Sequence, residues 1–162
     1  MNKTDTLDKV DRKILRILQE NARISNVDLA REVGLSQTPC LNRTKRLEKI
    51  GCIEGYTIKI DPDFVGAKLL VFVEIRLDKT SKHVFGDFRI KVRKLPEIME
   101  CHLVSGDFDY LLKARVSDMV AYRKLLSETL LSLPHVNSTR TYMVMEEVKE
   151  TDNFDIPEPD AE

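Results

Sequence analysis

The 162-residue chain is expected to be an α+β protein: an N-terminal winged helix-turn-helix domain followed by a C-terminal ferredoxin-like βαββαβ domain. Three observations predict this. Residues 8–50 read as three short helices punctuated by Gly34 and Gly51. Residues 69–147 alternate strand, helix, strand, strand, helix, strand. Charge is also segregated along the chain. Residues 1–60 hold 12 basic and 8 acidic side chains, a net of +4, and residues 61–149 hold 14 and 13, a net of +1. Residues 150–162, ETDNFDIPEPDAE, hold six acidic and no basic side chains. The overall charge of -1 would argue against nucleic acid, but it hides a basic front end behind an acidic tail.

The expected organisation is a helix-turn-helix domain over 1–51, a strand or linker over 52–66, and a ferredoxin-like domain over 67–149. The tail, 150–162, cannot bury much apolar surface and is expected to be disordered. The hydrophobic fraction of 42% and charged fraction of 33% are those of a globular chain. No apolar run approaches the roughly 20 residues needed to span a bilayer. The opening MNKTDTLDKVDRK lacks the apolar core of a signal peptide, so a cytoplasmic location is expected.

Asp8 suits the cap of a first helix, with Val10, Ile14, Ile17 and Leu18 on one apolar stripe and Asn21 as the stop. Ser25 with Asp28 resembles a capping box. Val27, Ala30 and Val33 then form the inner face of a short helix that Gly34 ends. Ser36 caps a third helix, Pro39 sits in its first turn, and Gly51 ends it. On this third helix Cys40, Thr44 and Leu47 share one side, flanked by Leu41 and Ile50. Asn42, Lys45, Arg46 and Lys49 share the other, joined by Thr38 from the first turn. Three cations, an amide and a hydroxyl suit phosphates and base edges. Alone, such a face is usually just solvated; behind a capped short helix and a glycine turn it is a recognition helix. The DNA-contact candidates are Ser36, Gln37, Thr38, Asn42, Arg43, Lys45, Arg46 and Lys49, and Arg46→Ala is expected to abolish DNA binding. CIEGYTIKID, residues 52–61, alternates enough to be a strand, either a wing or a connector.

Residues 69–77 read as a strand, and 82–95 as a helix with Val84, Phe85, Phe88, Val92 and Leu95 inward. Residues 98–104 and 108–116 read as two further strands. Asp118 caps a second helix, with Met119, Tyr122, Leu125, Leu126 and Leu130 inward, and Pro134 ends it. Residues 136–147 form the fourth strand. Cys40, Cys52 and Cys101 read as small buried hydrophobes. Cys101 and His102, adjacent in a strand, make a poor metal pair. The nearest thing to a catalytic pair is Asp107 with Asp109, which would share a face at i and i+2 of a strand. Turn chemistry and ligand binding suit them better, and no enzyme activity is expected.

The segments DRKILRILQENARISNVDLAREVGLS, TPCLNRTKRLEKIG, LLVFVEI, ECHLVSGDFDYLLK, AYRKLLSETLL and TRTYMVMEEVK resemble the Lrp/AsnC, or feast/famine, family of bacterial transcription regulators, most closely its leucine-responsive branch. The resemblance runs from about Leu7 to Lys149. It implies a DNA-binding front domain and a C-terminal domain that binds a small amino acid, leucine or methionine, at interfaces between dimers. It implies dimers assembling into an octamer in the bacterial cytoplasm, associated with the nucleoid, with no metal, no other cofactor and no membrane partner. Residues at family positions linked to leucine response are Leu103, Asp109, Met119, Tyr142, Met143 and Val144. The turn carrying Gly106 and Asp107 adds acceptors for an ammonium and N–H donors for a carboxylate. Gln37 stands where this branch usually has Pro, and the acidic tail matches no family pattern. A competing reading is an amino-acid sensor that regulates a partner enzyme by protein contact, with the basic helix merely solvated.

Overall fold

The computed structural model describes residues 7–78 and 81–157. The chain divides into two compact units, residues 1–58 with 149–162, and residues 59–148. The expected connector over 52–66 therefore straddles a boundary, and the tail groups with the front of the chain.

The first unit is a three-helix cluster: α1 (Lys9–Glu20), α2 (Asn26–Val33) and α3 (Gln37–Lys49). Asp8 and Asp11 form a reciprocal capping box at the start of α1, and Asn21 closes it. The Ser25 hydroxyl accepts the Asp28 N–H at 3.1 Å and fixes the start of α2. Gly34 ends α2 in the left-handed region, φ 76°, ψ 34°, which costs a glycine little and other residues more. The core is Ile14, Leu29, Ala30, Val33, Cys40 and Leu47. The inner face of α2 thus uses Leu29, where the sequence pattern suggested Val27; Val27 is largely exposed. An eight-residue helix packed on two sides does not keep a single narrow stripe.

The strand expected over 52–61 does not form among the described residues. The segment has alternating apolar side chains but no adjacent strand to pair with, so Tyr56, Ile58 and Ile60 stay exposed. Tyr56 is held by its hydroxyl, which donates to Glu48 Oε1 at 2.9 Å. Partial desolvation of this half-exposed phenol, together with the Glu48 carboxylate, pushes it up to about 12. Cys52 in this segment is exposed, unlike buried Cys40 and half-buried Cys101.

The second unit is a four-stranded antiparallel sheet, order β2-β3-β1-β4, with β1 (Leu69–Leu77), β2 (Ile98–Leu103), β3 (Tyr110–Val116) and β4 (Val136–Met143). This is the ferredoxin-like arrangement expected. Helices α4 (Lys82–Val92) and α5 (Met119–Lys124) cover one face, α5 continuing as a π turn, Leu125–Thr129, and a 3-10 turn, Leu130–Ser132. The core joins Val71, Val73 and Ile75 of β1 to Val84, Phe88 and Val92 of α4 and to Tyr122, Leu125 and Leu130. Tyr110 stacks on Phe88, ring centroids 4.5 Å apart. Met119, expected inward, is the first residue of α5 and is about half exposed. Strand β4 stops at Met143, although Val144 N–H still donates to the Leu70 carbonyl at 3.1 Å.

Where the tail is described, its Phe154, Ile156 and Pro157 are hydrogen-bonded to α1, and residues 158–162 fall outside the described residues.

Candidate functional site

The sequence of α3 separates its two faces cleanly. Cys40 and Leu47 are wholly buried and anchor the helix, while Thr38, Asn42, Lys45 and Lys49 are exposed. Leu41 and Ile50, on the flanks, are partly exposed. Ser36 is the N-cap but its side chain makes no capping bond. The start of the helix is held instead from α2, where Asn26 Nδ2 donates to the Gln37 carbonyl at 3.0 Å. Ser36, Gln37 and Thr38 are all exposed in that first turn. Their hydroxyl and amide groups are therefore available at the positive end of the helix dipole, which favours an anion.

Two of the expected contact residues have a second task. Asp11 of α1 is completely buried, and it is the one charged residue among the buried described residues. Its Oδ1 accepts from Arg43 Nη1 at 3.0 Å, its Oδ2 from Arg46 Nη2 and from the Asp8 N–H at 3.2 Å. Arg43 also donates to Asp8. A buried carboxylate is costly unless paired and hydrogen-bonded, and here both guanidiniums lie on α3. The pairs fix the rotation of α3 against α1, which sets the direction in which Lys45 and Asn42 point. Burial opposes ionisation of Asp8, but bonds from the Asp11 N–H and the Arg43 guanidinium outweigh it and hold the carboxyl below the ordinary aspartate value. Asp8 and Asp11 raise the Arg43 pKa in turn. Asp8, Asp11, Pro39, Asn42, Arg43 and Arg46 line an open cleft of about 520 Å³. Sequence reading missed Asp11. Its signal was present: a carboxylate on the stripe that carries Ile14 and Leu18, where only a paired charge is tolerated.

In the second unit the ligand candidates fall into two groups. Leu103, Gly106, Asp107 and Asp109 lie where β2 passes into β3, at the end of the sheet marked by Ile75 and Leu77 of β1. Asp107 and Asp109 precede β3 and are not a strand pair. Asp109 is part of the framework: its Oδ2 accepts the Leu77 N–H at 2.7 Å and its own N–H donates to the Ile75 carbonyl at 2.9 Å. The Asp107 carbonyl accepts from Arg76. Tyr142, Met143 and Val144 sit at the opposite end, with Met143 opposite Val71 and Tyr142 opposite Phe72. Met119 follows Val116, which pairs with Leu69 at that same end. Tyr142 and Met143 point to opposite faces, and Tyr142 Oη donates to Glu74 Oε1 at 2.8 Å. Val71 and Ile75 are four residue steps apart along the strand, roughly 13 Å. One chain therefore does not bring the two groups around a single small molecule.

The helix-covered face carries a recess of about 490 Å³ whose lining includes Arg89, Arg93, Ile98, Cys101, Leu103 and Tyr110. Burial pushes the Cys101 thiol up to about 11. His102, on the other face, bonds Glu100 at 3.0 Å. Among the described residues no group of three His, Cys, Asp or Glu side chains is placed to hold a metal ion, and no helix is long and apolar enough to cross a membrane.

Comparison with known proteins matches both units. Residues 7–48 match the AsnC-type helix-turn-helix domain, and residues 70–154 match the Lrp/AsnC ligand binding domain. The leucine-responsive regulatory proteins of Escherichia coli K12 and Salmonella typhimurium LT2 are each 62% identical over 148 residues, 91% of this chain and 90% of theirs. A transcriptional regulator of Neisseria meningitidis, crystallised as an L-Met complex, superposes with a TM-score of 0.87 at 39% identity, covering 92% of this chain and 96% of that one. An AsnC family regulator of Agrobacterium tumefaciens gives 0.87 at 37% identity, covering 92% and 97%. With an exposed polar and cationic face on α3, a ferredoxin-like sheet in the second unit and relatives that match along nearly the whole chain, this protein belongs to the Lrp/AsnC family.

Proposed function

We propose that this protein is a sequence-specific transcriptional regulator of the leucine-responsive type, acting at the bacterial nucleoid and catalysing no reaction. The observation that carries the DNA-binding part is the face of α3: Thr38, Asn42, Lys45 and Lys49 exposed on a helix whose rotation is fixed by the buried Asp11. Asn42 suits an adenine edge, and Lys45 and Lys49 suit phosphate or guanine. Arg43 and Arg46 act first as positioning residues. Arg46 keeps part of its guanidinium exposed and can reach a phosphate while paired. Paired recognition helices of a symmetric dimer would meet half-sites about one helical turn apart, or a multiple of it.

The effector is an apolar amino acid, leucine or methionine. The ligand-binding domain of the family and the L-Met complex of the Neisseria relative support this reading. Because the candidate residues lie at two ends of the sheet, the site is completed by a second copy of the chain. One copy supplies the Gly106–Asp109 turn and the other supplies the Met119, Tyr142, Met143 and Val144 group. Dimers assembling to an octamer provide such interfaces. Binding there changes DNA affinity only if the ligand prefers one arrangement of copies over another. Sedimentation velocity with and without leucine or methionine tests this. A shift in the distribution of assemblies, with a parallel change in gel-shift affinity, is expected. Altered DNA affinity with an unmoved distribution would contradict the assembly mechanism.

A further inference from the structure

The acidic tail is read by α1 through its main chain. Gln19 brackets Phe154: its Nε2 donates to the Phe154 carbonyl at 3.1 Å, and its Oε1 accepts the Phe154 N–H at 2.8 Å. Arg16 Nη1 donates to the Ile156 carbonyl and Arg12 Nη1 to the Pro157 carbonyl, each at 3.4 Å. Positions 12, 16 and 19 form one stripe of α1, on the side away from buried Ile14. The two rulers agree. Seven helical residues rise roughly 10.5 Å, and three extended residues advance roughly 10 Å. The tail can therefore keep register with the stripe, running opposite to the helix.

These bonds use backbone groups of the tail and leave the side chains of Asp152 and Asp155 exposed. Docking thus delivers charge without neutralising it. Residues 7–58 hold 10 basic and 7 acidic side chains, net +3, and residues 7–58 with 149–157 hold 11 and 10, net +1, so the docked segment removes most of the positive charge. DNA affinity depends on the field of the binding unit as well as on its contacts.

We propose that the Arg12–Arg16–Gln19 stripe is a docking site for the chain's own acidic tail, and that the docked tail lowers the affinity of the helix-turn-helix unit for DNA of any sequence. This rests on the DNA-binding reading of α3. The docked segment holds the carboxylates of Asp152 and Asp155 on the same unit as the cationic α3 face, so non-specific binding is suppressed and operator contacts matter more.

Three full-length proteins test it: wild type, Gln19→Ala, and the double variant Asp152→Asn with Asp155→Asn. Hydrogen exchange of the peptide spanning 150–157 reports docking without reference to DNA. Binding to a random-sequence duplex across a salt series reports the charge effect. In wild type the tail amides should exchange severalfold more slowly than an unstructured peptide, and Gln19→Ala should remove that protection. The double variant should keep the protection yet bind random duplex severalfold more tightly at low salt, the gap closing as salt rises. Tail amides that exchange at the unstructured rate in wild type overturn the docking site. A protected tail whose neutralisation leaves duplex affinity unchanged overturns the suppressive role. Wild-type protein that binds no duplex at all sinks the DNA-binding reading and the suppressive role with it, while the exchange data still decide the docking.

Discussion

Asp11 shows how one residue links stability to recognition. It is buried, it accepts from two guanidiniums of α3, and it closes the cap of α1. Asp11→Ala should lower stability by about 1–3 kcal/mol, the range for leaving hydrogen-bonding groups without their partner. A denaturant titration reads that loss directly. Arg46→Ala removes a partner of the same carboxylate, so its loss of DNA binding combines a lost contact with a loosened helix. Lys49→Ala is the cleaner probe: its side chain is exposed, and removing one phosphate contact should weaken every sequence alike and reduce the salt slope by about one. Asp8 gives the pH dependence. Its folded carboxyl is held below the ordinary value, so its contribution is complete above about pH 4 and is lost as the pH falls through the depressed folded value. Melting temperature against pH should therefore fall on the acid side, and Asp8→Asn should flatten that fall. The Asp11 pairs join residues 32 and 35 positions apart, and such long-range pairing is not visible in local periodicity.

At the scale of elements, local chemistry was legible and partnership was not. Asp8, Ser25, Gly34 and Asp118 mark helix ends through bonds to their own neighbours, and apolar spacing identifies β1 to within its observed ends. Gly34→Ala should cost roughly 1 kcal/mol, because the left-handed position penalises a Cβ. A denaturant midpoint shift with unchanged slope would verify it. The segment 52–61 has strand-like alternation, but a strand exists only with a neighbour, and no pattern inside one segment reveals whether a neighbour is present. The tail is the converse case. Its composition reads as disorder, yet its backbone groups find Gln19, Arg16 and Arg12. Composition describes what a segment can bury, and these contacts need no burial. The third helix was readable as a face because its two sides differ so strongly in chemistry. The double duty of Arg43 and Arg46 on that face was not.

At the scale of the whole molecule, the fold class and the family follow from patterns that repeat along the chain, and the effector site does not. Its candidate residues occupy two ends of one sheet, so a single sequence names the candidates without showing how the proposed sharing between copies would join them. The net charge of -1 likewise acquires meaning only when divided: a basic front end, a nearly neutral middle and an acidic tail. With only a modest cationic face per chain, the proposed DNA binding would gain its tightness from several copies acting together, which raises effective concentration without new contacts. The most direct test of this account is genome-wide mapping of bound DNA in cells grown with and without added leucine or methionine. Discrete binding sites are expected, their occupancy changing with the amino acid at a subset of sites. Sites should be lost in a Lys45→Ala, Asn42→Ala variant. Uniform background signal, or maps that do not change with either amino acid, would contradict it.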